Sequence, residues 1–225
     1  MVANLGVSNS LRSRFLPDHS GNLSQHFRTR RWAEFHRRFP ELADMSVIDL
    51  GGFARDWADA SHHPRELLVV NLDEASLPDQ PDWVSTITAD ACELPNELFQ
   101  RHWDLVYSNS LIEHVGGYWR RAQVAKAIGR LADHHWVQTP ARSFPLEPHW
   151  VFPFFQFLPV QARAEVAKLW PLSPPQMRTG TLDKNIDDVL WVELVSAAEM
   201  QHLYPGSEIY HERFGGITKS IIAIR

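Results

Sequence analysis

The sequence predicts an α/β protein built on a mostly parallel β-sheet that ends in an antiparallel hairpin. Five short apolar runs, typical of buried strands, alternate along the chain with segments of helical periodicity, which favours parallel strands joined by helices. Near the C-terminus, two more strand-like runs flank Gly215-Gly216, a pair typical of a tight hairpin turn. Together these runs predict a seven-stranded sheet.

The N-terminal part of the chain is predicted to precede the sheet. Residues 1–25 are polar and rich in Ser and Asn, which indicates an irregular arm, and a helix is predicted over 26–39, before Pro40. We therefore divide the chain of 225 residues into an N-terminal arm and cap helix, 1–43, and a main domain, 44–225.

Composition and charge limit the partners and the compartment. The apolar content of 44% suits a globular core, and the net charge of −5 argues against a sequence-independent nucleic-acid binder. A single cysteine excludes an internal disulfide, as in a reducing cytosol, and no apolar run reaches the length of a signal peptide or a membrane span. We expect a cytoplasmic protein without a membrane partner.

One segment is strongly basic although the chain as a whole carries a net negative charge. Residues 28–38 carry five arginines, while Trp32, Phe35, Phe39 and Leu42 recur at helical spacing. The spacing predicts a helix that buries these apolar residues and turns its arginines to solvent. An anion-binding patch is the alternative.

The strands and helices of the main domain follow in a regular order. Helices are predicted over 119–133 and 196–204, where apolar residues recur at a helical period. The predicted strands are 46–50, 66–72, 84–89, 103–108 and 134–139, with 207–214 and 217–224 as the hairpin.

Residues 140–195 do not follow this alternation. They are rich in proline and aromatic residues, and their length exceeds that of an ordinary connection between two elements. We predict an insertion after strand five that packs over the carboxyl ends of the strands, which is the edge where open α/β sheets bind ligands.

Acidic and small residues stand at the carboxyl ends of the predicted strands. The first strand ends in VIDLGG, where Asp49 is followed by Gly51 and Gly52, which permit a sharp turn and the close approach of a ligand. Asp73 follows the second strand, where a carboxylate can accept hydrogen bonds from both hydroxyls of a ribose. Asp90 follows the third strand, where it can accept from an adenine amine while a neighbouring backbone N–H donates to the ring.

The motifs VIDLGG, NLDE, TADACELP and WDLVYSNSLIEHV, in this order, resemble the Rossmann-like class I S-adenosylmethionine (SAM)-dependent methyltransferases. The resemblance covers residues 44–140, and the terminal hairpin is similar to the family's sixth and seventh strands. It implies that SAM is the cofactor and S-adenosylhomocysteine (SAH) its product. It also implies a cofactor-binding set in which the methionine part, the ribose, the adenine and the reacting centre follow in chain order: Asp49, Gly51, Gly52, Asp73, Asp90, Ala91, Cys92, Ser108 and Asn109.

One feature departs from the family. The usual pattern is DxGxGxG, but Phe53 and Arg55 replace the second and third glycines. A pyrophosphate needs an open, glycine-lined helix N-terminus, whereas SAM has no phosphate, so the crowded loop favours SAM over NAD. The candidate partners of the methionine carboxylate of SAM are Arg30, Arg31 and Arg55. For each of them, a solvent-facing position is the alternative.

The segment after the fourth strand favours a hydroxyl as the methyl acceptor. SNSL stands where the family's base- and glutamine-methylating enzymes carry an Asn/Asp-Pro-Pro-aromatic turn, which disfavours that subclass. Metal-dependent enzymes of the catechol type place acids there. Asn109 and Ser110 take their place, so no required metal is predicted. A hydroxyl acceptor requires a general base that removes its proton.

Histidines are the candidate bases. His149 follows the fifth strand in FPLEPHW, which is similar to a stretch in some small-molecule and sugar methyltransferases, and Glu147 is the residue that would orient its ring. A purely structural role for both is the alternative. His114, beside Glu113, is the second candidate, with closure of the cofactor pocket as the alternative.

Other histidines and aromatic residues are interpreted as structural. The pairs His62-His63 and His134-His135 are adjacent in sequence, so their side chains diverge. A group of aromatic residues is interpreted as core, with a sugar-stacking platform as the alternative: Tyr118, Trp119, Trp150, Phe152 and Phe155.

These features predict a SAM-dependent O-methyltransferase that acts on a hydroxyl of a small metabolite. A saccharide is the favoured class of substrate, because aromatic residues together with His and Glu in a cleft suit a polyhydroxylated acceptor. The chain also resembles mycobacterial-type sugar O-methyltransferases that act on methylated mannosides. An RNA- or protein-modifying methyltransferase and a degenerate, non-catalytic SAM binder are the alternatives. A homodimer is left open.

Overall fold

The protein is described by a computed structural model that covers residues 23–58, 62–73 and 80–225. Residues 1–22 of the predicted N-terminal arm and Glu74, at the end of the NLDE motif, lie outside these residues, whereas residues 23–25 begin a helix instead of ending the arm. The chain forms two compact units. We call Arg38–Ser143 with Glu193–Arg225 the sheet unit, and Met1–Arg37 with Phe144–Val192 the helical unit.

The predicted elements agree with the observed ones. All seven predicted strands are present, and each begins and ends within two residues of its predicted bounds. The elements, in chain order, are α1 (Leu23–Arg38), β1 (Ser46–Leu50), α2 (Arg55–Ala58), β2 (Glu66–Asn71), β3 (Val84–Thr88), β4 (Trp103–Asn109), α3 (Gly117–Leu131), β5 (Ala132–Pro140), β6 (Leu146–Glu147), β7 (Phe152–Pro153), α4 (Val160–Leu169), α5 (Leu182–Leu190), α6 (Ala197–Leu203), β8 (Glu208–Phe214) and β9 (Ile217–Ile224).

The sheet unit contains a seven-stranded sheet of order β3-β2-β1-β4-β5-β9-β8. The pairs among β1 to β5 are parallel, β9 runs antiparallel to β5, and β8 runs antiparallel to β9. This topology confirms the predicted Rossmann-like fold class. The strand order reverses between β1 and β4, which makes their carboxyl ends the topological switch point where ligands bind in such sheets.

The central strands are apolar because both faces of the sheet are covered. Every residue of β1 is buried, and so are the four interior residues of β2. Helix α3 supplies Val124, Ile128 and Leu131 to the core on one face, and α6 supplies Met200. The helical period seen in the sequence of 119–133 is therefore the buried stripe of α3.

Capping residues set the helix ends in the sheet unit. Gly116 and Gly117 precede and begin α3 with φ of 83° and 62°, a left-handed conformation that glycine adopts without a steric penalty. At α6, the hydroxyl of Ser196 accepts a hydrogen bond from the backbone N–H of Glu199 (3.1 Å), as expected of an N-cap.

The helical unit has its own small core. Buried Trp150, Phe155 and Met177 pack with residues of α4 and α5. Helices α4 and α5 were not predicted within the segment 140–195. The packing of this segment over the strand ends stays a prediction. Among the described helices, none combines the length and apolar character needed to cross a membrane.

Candidate functional site

The carboxylate of Asp49 lies buried near the end of β1. The indole N–H of Trp57 donates to its Oδ2 at 2.8 Å, and its Oδ1 has no hydrogen-bond partner among the residues that the structure describes. Burial raises the pKa of Asp49 to about 7, although the hydrogen bond from Trp57 opposes this rise. The group therefore ionises near neutral pH and lacks one donor, which a cationic ligand could supply.

Positions 51 and 52 have room for glycine but not for a residue with a side chain. Gly51 has φ of 83°, and a Cβ there would lie 2.8 Å from Cδ1 of Leu111. A Cβ on Gly52 would overlap the Asp49 carboxylate. The amide of Asn71 donates to the carbonyl oxygens of Gly52 (2.7 Å) and Gly51 (3.2 Å), so the backbone of this turn is held against β2.

Side chains occupy the segment in which the later glycines of the motif are missing. Trp57, in α2, is fully buried and packs edge-to-face on Tyr107 of β4, with 5.1 Å between ring centroids. The guanidinium of Arg55 stacks over the ring of Phe53 at 4.3 Å. An indole that binds Asp49 thus anchors the segment after β1. Sequence reasoning missed Trp57, whose signal is a large aromatic eight residues after the acid.

Asp73 follows β2 and is exposed. Its backbone N–H donates to Oδ1 of Asn71 at 3.1 Å, which fixes the chain as it leaves the strand. Asn71 therefore braces two adjacent strand ends, because its amide nitrogen holds the turn after β1. A solvated carboxylate at this edge of the sheet can accept hydrogen bonds from a diol.

Asp90 follows β3 and has both carboxylate oxygens engaged. Oδ1 accepts from the backbone N–H of Cys92 at 2.8 Å, and Oδ2 accepts from Nη2 of Arg120 at 2.5 Å. Ala91 and Cys92 point their side chains into the core. Burial raises the pKa of the Cys92 thiol to about 11, so it stays protonated, and it donates to the backbone oxygen of Arg120.

The end of β4 is braced against both neighbouring strands. The buried hydroxyl of Ser108 donates to the backbone oxygen of Leu50 at 3.0 Å, and Asn109 is the half-buried last residue of the strand. Ser110 has φ of 57°, a left-handed conformation that costs a non-glycine residue on the order of 1 kcal/mol. Its N–H and hydroxyl donate to the backbone and side-chain oxygens of Gln138 at 3.0 and 3.2 Å.

His114 lies in a turn that Glu113 anchors. The Glu113 carboxylate is buried and accepts from the hydroxyl of Thr139 at 2.9 Å, while its backbone oxygen accepts from the N–H of Glu193 at 2.9 Å. His114 is half-buried, and its backbone N–H donates to the carbonyl of Leu111 at 2.8 Å. These contacts fix the position of the His114 backbone.

Glu147 and His149 form a pair in the helical unit. Nδ1 of His149 lies 2.7 Å from Oε1 of the buried Glu147, whose Oε2 accepts from the backbone N–H of Trp150 at 2.7 Å. A carboxylate only accepts, so Nδ1 carries the proton and Nε2 is the basic atom of the neutral ring. Val151, with φ of 51°, ends the turn that joins β6 to β7, and Phe154, with φ of 59°, follows β7.

The predicted site residues divide between the two units. Glu147 and His149 lie in the helical unit. The sheet unit brings the others to the carboxyl ends of the adjacent strands β3, β2, β1 and β4: Asp49, Gly51, Gly52, Asp73, Asp90, Ala91, Cys92, Ser108, Asn109 and His114.

The aromatic residues also divide. Trp150 and Phe155 are buried in the core of the helical unit, and Phe152 packs against them, as the interpretation as core residues predicted. Tyr118 and Trp119 are instead exposed at the beginning of α3, where Trp119 leaves 72% of its surface to solvent.

Comparison with known proteins identifies the fold. No protein-family model and no curated protein matches the chain. Three of the similar solved structures are methyltransferases. The magnesium protoporphyrin IX methyltransferase of Synechocystis PCC 6803, with bound SAH, has a TM-score of 0.55 and 12% identity, covering 99% of this chain and 95% of that one.

The other two methyltransferase structures also match this chain over most of its length. The N-methyltransferase NodS of Bradyrhizobium japonicum WM9, in complex with SAH, has a TM-score of 0.55 and 9% identity over 96% of both chains. A SAM-dependent methyltransferase of Mesorhizobium loti has a TM-score of 0.53 and 16% identity, covering 87% of this chain and 97% of that one. The chain therefore has the fold of the class I SAM-dependent methyltransferases.

Proposed function

We propose that the protein is a SAM-dependent O-methyltransferase that methylates a hydroxyl of a small cytoplasmic metabolite, with a saccharide as the favoured class. The observation that carries the proposal is the buried Asp49, whose Oδ1 has no partner among the described residues and lies at the switch point of a methyltransferase fold. SAH is bound in two of the similar solved structures, which supports SAM as the cofactor.

The residues at the strand ends fit the chemical groups of SAM. The ammonium group of its methionine part would supply the donor that Oδ1 of Asp49 lacks, and Gly51 and Gly52 leave space beside that carboxylate. Asp73 would accept from the ribose hydroxyls, and Asp90 from the adenine amine. Because the N–H of Cys92 already donates to Asp90, we assign the contact with the adenine ring to the N–H of Ala91.

The turn after β4 is proposed to border the reacting centre. When bound, SAM supplies a methyl group on a positively charged sulfur, which a nucleophile can displace. Ser108 and Asn109 would line this point, and the hydrogen bonds of Ser110 to Gln138 keep the turn rigid. Rigid placement matters because displacement requires the nucleophile, the methyl carbon and the sulfur to be collinear.

His149 is proposed as the general base. Its Nε2 takes the proton of the acceptor hydroxyl, and Glu147 stabilises the imidazolium that forms because it accepts the hydrogen bond from Nδ1. The second hydrogen bond to Glu147, from the N–H of Trp150, orients the carboxylate and hence the ring. His114 remains the second candidate for this role.

An RNA- or protein-modifying methyltransferase that uses the arginines of 28–38 is the alternative. Arg37 and Arg38 are engaged in ion pairs: Arg37 contacts Glu34 at 2.5 Å, and Arg38 makes a two-point ion pair with Glu208 at 2.6 and 2.7 Å. Paired arginines contribute less to phosphate binding. RNA affinity that falls steeply with salt would favour this alternative.

Calorimetry and a turnover assay test the proposal. We expect SAH to release heat on binding, and labelled SAM to transfer its methyl group to a member of a panel of sugars and phenols. His149→Ala should lower turnover about 100-fold, within the usual contribution of a general base, with SAH affinity unchanged. His211→Ala, at an exposed histidine of β8, is the control and should keep full turnover.

Each outcome is informative. Absence of SAH binding contradicts the proposed cofactor. SAH binding without turnover on any acceptor favours the degenerate binder. Full turnover by His149→Ala on the true acceptor removes this residue as the base and leaves His114 to be tested in the same way.

A further inference from the structure

Asp90 differs from the other carboxylates at the strand ends because a guanidinium holds it. Nη2 of Arg120 lies 2.5 Å from Oδ2 of Asp90, and Nε of the same guanidinium donates to the backbone oxygen of Val115 at 2.6 Å. Arg120 is therefore fixed at two points and cannot leave Asp90 without losing its second contact. Asp73, in contrast, is an exposed carboxylate after β2.

The surroundings of Asp90 keep it ionised. Partial burial alone would raise its pKa, but the backbone N–H of Cys92 and the guanidinium of Arg120 outweigh this effect, and the pKa lies below the usual value. An ionised carboxylate accepts hydrogen bonds and donates none. The side chain of Asp90 thus offers hydrogen-bond acceptors and no donor of its own.

The two hydrogen bonds also fix the direction of the acceptor. Oδ1 is held by the N–H of Cys92 and Oδ2 by Arg120, so the carboxylate cannot rotate. A carboxylate offers about four lone-pair sites, so it can still accept from a ligand without releasing either partner. The side chains of Asp90 and Arg120 are 30% and 35% exposed, which leaves the pair accessible to a ligand.

From this geometry we infer that Arg120 is a positioning residue that fixes Asp90 as an acceptor and thereby makes the site select adenine over a 6-oxopurine. The inference rests on the proposed function, in which the end of β3 binds the adenine of SAM. Adenine presents an exocyclic amine, which donates to Asp90. Hypoxanthine presents an oxygen at the same place, which an ionised carboxylate repels.

Binding of two ligands tests this inference. The probes are SAH and S-inosylhomocysteine, which carries hypoxanthine in place of adenine, and calorimetry gives both affinities. The wild-type protein should prefer SAH by about 10- to 100-fold, because S-inosylhomocysteine loses a hydrogen bond to a charged carboxylate and places an oxygen against it. Arg120→Met should weaken SAH binding about 10-fold and reduce the preference, because Asp90 can then rotate or take up a proton.

Three further variants separate positioning from general structural support. Arg120→Lys keeps the charge and should restore part of the preference. Arg101→Met removes a comparable arginine–carboxylate pair, Arg101 with Glu66, and should leave both affinities unchanged. Asp90→Asn replaces an acceptor with an amide that also donates, so it should reduce or invert the preference even if Arg120→Met fails to fold.

The two hypotheses fail in different ways. If the wild-type protein does not bind SAH, the proposed function is wrong and the inference falls with it. If the wild-type protein binds SAH and a folded Arg120→Met variant keeps the wild-type preference, the inference is wrong and the proposed function stands. An unchanged preference in Asp90→Asn has the same meaning.

Discussion

A buried carboxylate needs space as well as partners, and at Asp49 the space comes from Gly52. A Cβ on Gly52 would overlap the carboxylate, which would have to move away from the indole of Trp57. Gly129, exposed in the last turn of α3, is the opposite case, because nothing lies within 4 Å of the position that its Cβ would take. Gly52 is therefore required by the space that the Asp49 carboxylate occupies, whereas no neighbouring atom requires glycine at position 129.

Gly52→Ala should lower the free energy of unfolding by about 2 kcal/mol or more, because a buried carboxylate loses its hydrogen bond. Gly129→Ala is the matched control and should raise the free energy of unfolding by about 0.5–1 kcal/mol, since alanine favours the helix interior. Urea denaturation measures both. If Gly52→Ala is as stable as the parent, the carboxylate has room to move and the argument for Gly52 fails.

Some residues of the candidate site can be predicted from the sequence and others cannot. Asp49 and Gly51 stand in a motif of fixed spacing after a strand, so the sequence indicates them directly. Trp57 and Arg120 do not, because each reaches its carboxylate only after the chain has folded, and Arg120 is 30 residues from Asp90. The left-handed Ser110 is equally hidden, since serine has no strong preference for that conformation.

Within the described residues 51–58 that follow β1, the side chain of Trp57 holds the backbone in place. Trp57 holds it by two contacts, the hydrogen bond to Asp49 and the edge-to-face contact with Tyr107. These contacts respond to different substitutions, because phenylalanine keeps an aromatic ring and loses the N–H. The segment therefore offers a test of whether the hydrogen bond or the ring provides the anchor.

Trp57→Phe should lower the free energy of unfolding by about 1–2 kcal/mol at pH 8, where Asp49 is ionised and both its oxygens would lack a donor. The loss should be smaller at pH 5, where a protonated Asp49 needs less from a donor. Denaturation at the two pH values measures the difference. An equal loss at both would assign the effect to packing of the ring on Tyr107.

Helices α1, α3 and α6 were predictable from the sequence, whereas α4 and α5 were not, for a physical reason. In α3 large apolar residues recur on one face, whereas in α4 the fully buried positions are Ala164 and Ala167, which leave no visible stripe. The turn that joins β6 to β7 contains left-handed Val151, and left-handed Phe154 follows β7, and neither residue is typical of a turn. Strand patterns in the sheet unit are clear because both faces of its central strands are buried.

Two buried groups of the sheet unit, Asp49 and His135, make the free energy of unfolding change with pH in opposite directions. Burial raises the pKa of Asp49 from 3.8 to about 7, so the unfolded chain loses this proton first and stability falls as the pH rises through that range. Burial, with smaller effects of Arg225 and His134, lowers the pKa of His135 from 6.5 to about 4. The unfolded chain then takes up this proton first, so stability falls as the pH drops from about 6.5 to 4.

Between about pH 4 and 6.5 the two effects oppose each other. Each amounts to at most ~1.4 kcal/mol per pH unit, because one proton is exchanged. Three other acids, Glu66, Asp90 and Asp104, have pKa values below their usual ones. They stabilise the folded protein when ionised, and this stabilisation is lost below about pH 4.5. The wild-type protein should therefore show a nearly constant free energy of unfolding across this window.

Single substitutions should expose the two slopes. Asp49→Asn still accepts from Trp57 but has no proton to exchange, so stability should rise from pH 4.5 to 6.5 as His135 becomes neutral in the unfolded chain. His135→Gln can keep a hydrogen bond with Ser207, and stability should fall over the same range as Asp49 ionises in the unfolded chain. Urea denaturation at three pH values measures both slopes. A slope near zero in either variant would mean that the group which that variant retains has an ordinary pKa in the folded protein.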